Sequence, residues 1–201
     1  EPVRRLLAGI ADHSSFLWSL AQRDPERLER ILTSDPDADL ARLLTETRET
    51  CAAATTEPVV RKTLRRARAH VALLVALADL GGVWPLGRVT EALSSAAETF
   101  VACGLDFLIR DAARKGRLKP ETDPATGCGL IVLGLGKLGA GELNYSSDID
   151  LVVFYEAGHA PLPEGAEPGP VFVRITQGLS RLLSDRTEDG YVARVDLRLR
   201  P

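Results

Sequence analysis

An α+β chain is predicted, helical over residues 1–120 and built on a short mixed sheet over residues 121–201. Three observations carry that expectation. Two long stretches before Gly116 repeat apolar residues at three- and four-residue steps. An apolar run from Leu130 meets a glycine-rich turn, and a second apolar run opens with Asp148 and Asp150. Finally, Val195 to Arg200 alternates strictly between aliphatic and charged residues, as a half-buried strand does.

In chain order, Asp24 followed by Pro25 and Glu26 reads as a helix start, with an N-cap, a proline in the first turn and an acid beside it. Leu28, Ile31 and Leu32 give that helix an apolar face. From Glu57 to Leu80, residues Val60, Leu64, Ala67, Val71, Leu74 and Ala78 form the stripe of a long amphipathic helix, ended by Gly81 and Gly82. A second stripe between Leu86 and Lys115 runs through Val89, Leu93, Ala96, Phe100, Cys103 and Phe107, with Gly116 as its stop and Pro120 beyond. The short Gly-Gly-Val-Trp-Pro link predicts that these two helices pack antiparallel. Past the acids, the Pro- and Gly-rich segment 158–170 reads as a mobile loop, and a helix over about 171–184 is expected to cover the sheet.

Composition narrows the function classes. The 201 residues are 45% hydrophobic and 26% charged, ordinary for a globular chain, and the net charge of -3 offers no basic domain for nucleic acid. The basic run Arg61, Lys62, Arg65, Arg66 and Arg68 shares its helix with the apolar stripe, so it reads as a solvated face that could also meet an acidic protein. Cys51, Cys103 and Cys128 lack the spacing of a disulfide frame or zinc site and are read as reduced thiols. His13, His70 and His159 stand apart from one another and read as surface or packing residues. The longest uncharged apolar run, Ala69 to Ala78, is too short to span a bilayer, so no membrane is expected and the cytoplasm is. The start at Glu1 and the stop at Pro201, just after a third acid, suggest a piece of a longer protein.

The chemistry concentrates in the second region. Asp148 and Asp150 sit two residues apart, on one face of a strand whose other face takes Ile149, Leu151 and Val153. Two carboxylates roughly 7 Å apart repel unless a cation or proton intervenes. Magnesium answers that need, because it takes hard oxygen ligands and binds through one or two carboxylates plus substrate phosphates. The closing strand places Asp196, Arg198 and Arg200 on one face. Beside the strand of Asp148 and Asp150 it would add a third acid and two guanidiniums for phosphate.

Gly134, Gly136 and Gly139 spell G-x-G-x-x-G after the apolar run, as in a Rossmann dinucleotide unit. That reading fails on length: only residues 137–144 remain before Ser146, too few for the Rossmann helix, and the next strand opens with acids where a buried parallel strand is apolar throughout. Gly134 and Gly136 are read instead as a loop that lets backbone N–H groups approach phosphate, with Lys137 as a nearby charge and Ser147 as an orienting or phosphate-contacting hydroxyl.

A glycine turn, Asp-x-Asp and a later strand aspartate resemble the nucleotidyltransferase superfamily of DNA polymerase beta type. More closely, GLGKLGAGELNYSSDIDL and DGYVARVDLRLRP resemble the glutamine synthetase adenylyltransferase family, large enzymes with two related catalytic halves that add AMP to, and remove it from, a tyrosine of glutamine synthetase. The wording ELNYSSDIDL with VDLRLRP is similar to the amino-terminal, adenylyl-removing half; Ala140 stands where a glycine is usual. The resemblance covers Leu130 to Pro201, about a third of the chain.

That resemblance implies a polymerase-beta-like core over residues 121–201, cut short at its C-terminal side, behind a helical region. It implies Asp148, Asp150 and Asp196 as catalytic metal ligands for magnesium or manganese, with phosphate and ADP, or ATP, as nucleotide substrates. Glutamine synthetase is the implied protein substrate and a PII signalling protein an implied partner, with adenylylation and a non-catalytic docking role as the rival readings.

Overall fold

The computed structural model describes residues 1–120, 123 and 127–197. Six helices come first: α1 (Pro2–His13), α2 (Ser15–Arg23), α3 (Pro25–Thr33), α4 (Pro36–Ala53), α5 (Glu57–Leu80) and α6 (Leu86–Arg114). Strand β1 (Leu130–Leu135), the one-turn α7 (Gly136–Gly139), β2 (Ile149–Tyr155), α8 (Pro168–Ser184) and β3 (Val195–Leu197) follow. Among the described residues the strands form one sheet in the order β1-β2-β3, with β1 antiparallel and β3 parallel to β2. The mixed, short sheet of an α+β fold is therefore present.

Local chemistry explains the helix starts. The carboxylate of Asp24 accepts from Arg27 N at 3.0 Å, and Pro25 occupies the first turn, where its missing N–H has no partner to lose. Asp35 and Pro36 repeat the device at α4, with Ala38 N donating to Asp35 at 2.9 Å. Helix α5 spans the residues its stripe predicts, and α6 ends one residue early because Lys115 caps it and Gly116 takes φ +67°. Helix α8 begins at Pro168, three residues before its sequence-based start at Val171, because Pro168 presets the first turn and takes the end of the expected loop with it.

Helices α5 and α6 form the centre of the core, with Leu64, Leu73, Leu74, Ala92 and Phe107 almost fully buried. Each such Leu or Phe contributes about 1.5–3 kcal/mol by burial. Helix α6 is long and apolar enough to cross a membrane by length and composition, but 56% of its most apolar window is buried inside the protein, as in a core helix. Helices α6 and α8 approach through Gly104, where an added Cβ would lie 2.9 Å from Leu182, and Gly178, where it would lie 3.1 Å from Leu108. The same core takes in Ile149, Leu151, Leu138 and Leu143 from the sheet unit. The three cysteines are free and buried.

His70, read from sequence as a surface or packing residue, is buried and joined to the buried Asp39 of α4 at 2.5 Å. Arg42 also engages Asp39. Burial works to raise the Asp39 carboxyl, but hydrogen bonds from His70 and Arg42 prevail and hold it below its ordinary value. Burial lowers His70, and the bond to Asp39 only partly opposes it, so a neutral Nε2–H imidazole donates to a carboxylate.

A lowered histidine gives stability that is complete above its unfolded pKa of about 6.5 and lost as pH falls below it; the lowered Asp39 adds a further loss below about pH 4. Thermal melts are expected to show the midpoint falling between pH 7 and 5, with a shallower slope in His70→Gln, which cannot titrate. Equal slopes in the two proteins would remove His70 from this role.

Candidate active site

The glycine turn is shaped by close backbone approach. A Cβ at Gly139 would lie 2.5 Å from the Gly134 carbonyl oxygen, and one at Gly134 would lie 3.0 Å from the Leu138 side chain. Gly136 adopts φ +55°, and a Cβ there would lie 3.0 Å from Asp150 Oδ2. The turn therefore folds tightly over the end of β2 and leaves space beside the Asp150 carboxylate. It closes on itself through Ala140 N to Gly136 O at 3.1 Å and Glu142 N to Lys137 O at 2.8 Å. The antiparallel pairing of β1 with β2 is incompatible with a Rossmann unit, in which the first two strands are parallel.

The acids come together through register. Leu135 pairs with Asp150 across β1 and β2, and Asp150 pairs with Asp196 across β2 and β3. Asp148 lies two residues before Asp150, just outside the strand and exposed. Its carboxylate is engaged by Arg194 Nε, and Arg194 also donates to Ser146 O at 2.8 Å. The bond to Asp148 raises the basicity of Arg194. Arg194 stands just before the alternating run that begins at Val195. Its partner lies 46 residues away, so local pattern carried no signal for it.

The other expected residues have defined places. Lys137 is exposed in α7, at the Asp150 end of the sheet. Ser147 closes the turn before Asp148: its hydroxyl donates to Asn144 Oδ1 at 2.6 Å and accepts from Asn144 N at 3.3 Å. Leu143 N is tied to Ser94 of α6 at 3.0 Å, and the Tyr145 hydroxyl to Asp79 of α5 at 2.7 Å. Burial, with that bond to Asp79, pushes the Tyr145 phenol above its ordinary value. The turn is thus pinned to both central helices. Arg198 and Arg200 lie outside the described residues.

These donors suit a hard divalent cation in kind: carboxylate oxygens on one sheet face, with the space of a missing Cβ beside Asp150. Among the described residues no three acid, histidine or cysteine side chains already surround a common point. Asp148 is turned to Arg194, and a cation shared by all three acids would have to displace that guanidinium.

Arg65 corrects the reading of the basic run as a solvated face. It is 1% exposed and donates to the carbonyls of Gly190 at 2.9 Å, Arg61 at 3.1 Å, Leu182 at 3.3 Å and Asp185 at 2.5 Å. Burial lowers its basicity. From that anchor the chain runs through Val192 N to Leu183 O at 2.9 Å and Ile149 N to Arg194 O at 2.9 Å, which sets β3 beside β2. Arg65 is a positioning residue for Arg194 and Asp196.

Together these features define an α+β unit whose sheet edge gathers acids under a glycine turn. Residues 4–201 match the family described as Glutamate-ammonia ligase adenylyltransferase, and the chain belongs to that family. A relative from Bradyrhizobium diazoefficiens, named bifunctional glutamine synthetase adenylyltransferase/adenylyl-removing enzyme, is 53% identical over 98% of this chain and 20% of its own length. Proteins of the same name from Xanthobacter autotrophicus and Rhodopseudomonas palustris are 54% and 52% identical over 98% and 97% of this chain, again 20% of their own. The chain spans about a fifth of the length of these relatives.

Two substitutions test this geometry. Gly136→Ala places a side chain in left-handed backbone and against Asp150, so a loss of about 1–2 kcal/mol in urea unfolding is expected, with weakened Mn²⁺ binding by calorimetry. Unchanged binding would mean that the space beside Asp150 is not used. Arg65→Met keeps the apolar stem but removes a donor from four carbonyls, of which Gly190 O keeps Thr187 N, with an expected loss of about 3 kcal/mol in the same urea unfolding; under about 1 kcal/mol would show that water replaces the guanidinium.

Proposed function

We propose that this chain is the core-bearing part of an adenylyl-removing nucleotidyltransferase, acting on the adenylylated tyrosine of glutamine synthetase. The observation that carries the reading is the register pairing of Asp150 with Asp196, two residues after Asp148 and under the Gly136 turn. An acid set of this kind is suited to phosphoryl or nucleotidyl transfer. The direction rests on the wording ELNYSSDIDL and VDLRLRP, which resembles the removing half of the family.

In this reading inorganic phosphate attacks the adenylyl phosphorus, the bond to the tyrosine oxygen breaks, ADP leaves, and the phosphate's proton passes to the phenolate to restore the tyrosine side chain of glutamine synthetase. Lys137, Arg198 and Arg200 balance phosphate charge, and Asp148, Asp150 and Asp196 hold the metal. Magnesium or manganese bound there would supply Lewis-acid neutralisation of charge on the transferring group. Asn144 and Ser147 keep the approach to Asp148 rigid. Glutamine synthetase is the protein substrate and a PII signalling protein a regulatory partner, in the cytoplasm.

The relatives' name covers both directions of AMP transfer, so the experiment must separate them. The full-length protein is incubated with labelled adenylyl-glutamine synthetase, phosphate and magnesium, and compared with Asp148→Asn/Asp150→Asn. Release of label as ADP is expected to fall at least about 100-fold in the variant, while ATP-dependent addition of AMP persists. Undiminished release would assign removal elsewhere and leave this unit a docking role. Loss of addition alone would assign the reverse reaction here.

A further inference from the structure

The basic run of α5 does not act as one face. Arg61 pairs with Glu57 and Asp185, Arg65 is buried, and Arg68 lies against the rings of Phe16 and Tyr191. Arg66 is exposed and lines a groove with Arg23 of α2 and with Arg27 and Arg30 of α3. The groove measures about 640 Å³ and has the hydroxyl-bearing Thr47 and Thr50 of α4 on its wall. None of Asp148, Asp150 and Asp196 lines it.

Two features leave positive charge unmatched at this groove. Arg27 is 7% exposed and donates through Nη2 to Leu20 O at 2.5 Å, but its Nε has no acceptor. Among the described residues it is the one buried side-chain nitrogen or oxygen left unsatisfied, a costly arrangement that native proteins avoid. The acids of the groove do not balance its arginines. Five arginines line it against three acids: Glu46 is engaged by Arg42 at 2.8 Å, Asp24 caps α3 and reaches Arg27 only at 3.9 Å, and the exposed Asp189 makes no ion pair among the described residues. Arg23, Arg30 and Arg66 make no ion pair among the described residues.

We infer that the groove of Arg23, Arg27, Arg30 and Arg66 binds a small, multiply charged oxyanion, a phosphorylated or polycarboxylate metabolite. Guanidinium forks match both groups bidentately. No Phe, Tyr or Trp lines the groove, and its one imidazole, His70, is buried and held by Asp39, so recognition falls on the oxyanion. Concavity, with Arg27 nearly buried, favours a small anion over a flat protein surface.

The test is calorimetry on the full-length protein without divalent metal, with pyrophosphate and tricarballylate as probes and an octaglutamate peptide as comparison. Wild type and Asp148→Asn/Asp150→Asn are expected to bind the preferred small anion alike, and Arg30→Ala/Arg66→Ala to bind it about tenfold or more weakly. The stronger probe tells a phosphorylated ligand from a polycarboxylate. Both replaced arginines are exposed, and a thermal melt checks that the fold persists. Equal binding by Arg30→Ala/Arg66→Ala, no binding of either small anion by wild type, or binding of the octaglutamate alone would each overturn the inference; the last would make the groove a protein-docking surface. A null result in the adenylyl-removal assay would leave this outcome unaffected.

Discussion

The buried guanidinium of Arg65 is the contact on which the arrangement of the sheet edge depends. A charged group taken out of water is costly, and here it is offset by hydrogen bonds to four carbonyls, with no carboxylate among its bonded partners. Those carbonyls belong to α5 itself, to the last turn of α8, to the residue just after it and to the turn at Gly190. One side chain from the helical region therefore fixes the segment that delivers Arg194 and Asp196. The short β3 could not hold its register alone, since three residues of parallel pairing give few hydrogen bonds. Continuity of the apolar core between α5, α6 and the sheet reinforces the same junction.

A second constraint acts at the glycine turn. Backbone at Gly136 is held where a side chain would press on Asp150, so the turn and the carboxylate are shaped together. Arg194 then settles the charge of Asp148, which lies on the same side as Asp150 and is repelled by it. A guanidinium and a divalent cation answer that repulsion in the same way. Of the three acids, Asp148 is thus already matched by positive charge from Arg194, the residue just before β3, and a cation there would take the place of that guanidinium.

How much of this was legible in the sequence follows from the range of the interactions. Helices α5 and α6 were readable because their stripes are apolar and long, and a Rossmann unit was excluded because too few residues follow the glycine turn for its helix, whereas the antiparallel pairing of β1 with β2 came from the structure. Helix α4 was not readable from periodicity, because Asp39 and Thr47 stand on its buried face beside Leu40, Leu44 and Cys51. Asp39 is satisfied there by His70 and Arg42, and Thr47 by the carbonyl of Leu43 at 2.7 Å. The Asp35-Pro36 start repeated the signal of Asp24-Pro25 and was the available clue. Helices α1 and α2 bury too few residues for a stripe, with Ile10 alone fully buried in α1. In the site, the acids and glycines were local and readable. The roles of Arg65 and Arg194 depend on partners 46 or more residues away, which a periodic pattern cannot encode.

The two faces of the sheet divide the work of folding and of chemistry. Val132, Ile149, Leu151, Val195 and Leu197 point into the shared core. On the other face, Ile131 pairs with Phe154, Leu133 with Val152 and Leu135 with Asp150, and Ile131, Leu133, Leu135 and Phe154 remain 39–48% exposed. The exposed acids Asp148 and Asp196 and the half-buried Asp150 lie on this side. Stability is therefore drawn from one face while the other carries the charged residues, so the acids can be replaced without opening the core. The turn residues join the two roles: Leu138 and Leu143 are buried, while the exposed Gly136 and Lys137 sit beside the carboxylates. A rigid interior and an acid-bearing surface are thus built from alternate residues of the same strands, which is the physical content of the period-two pattern around Asp150.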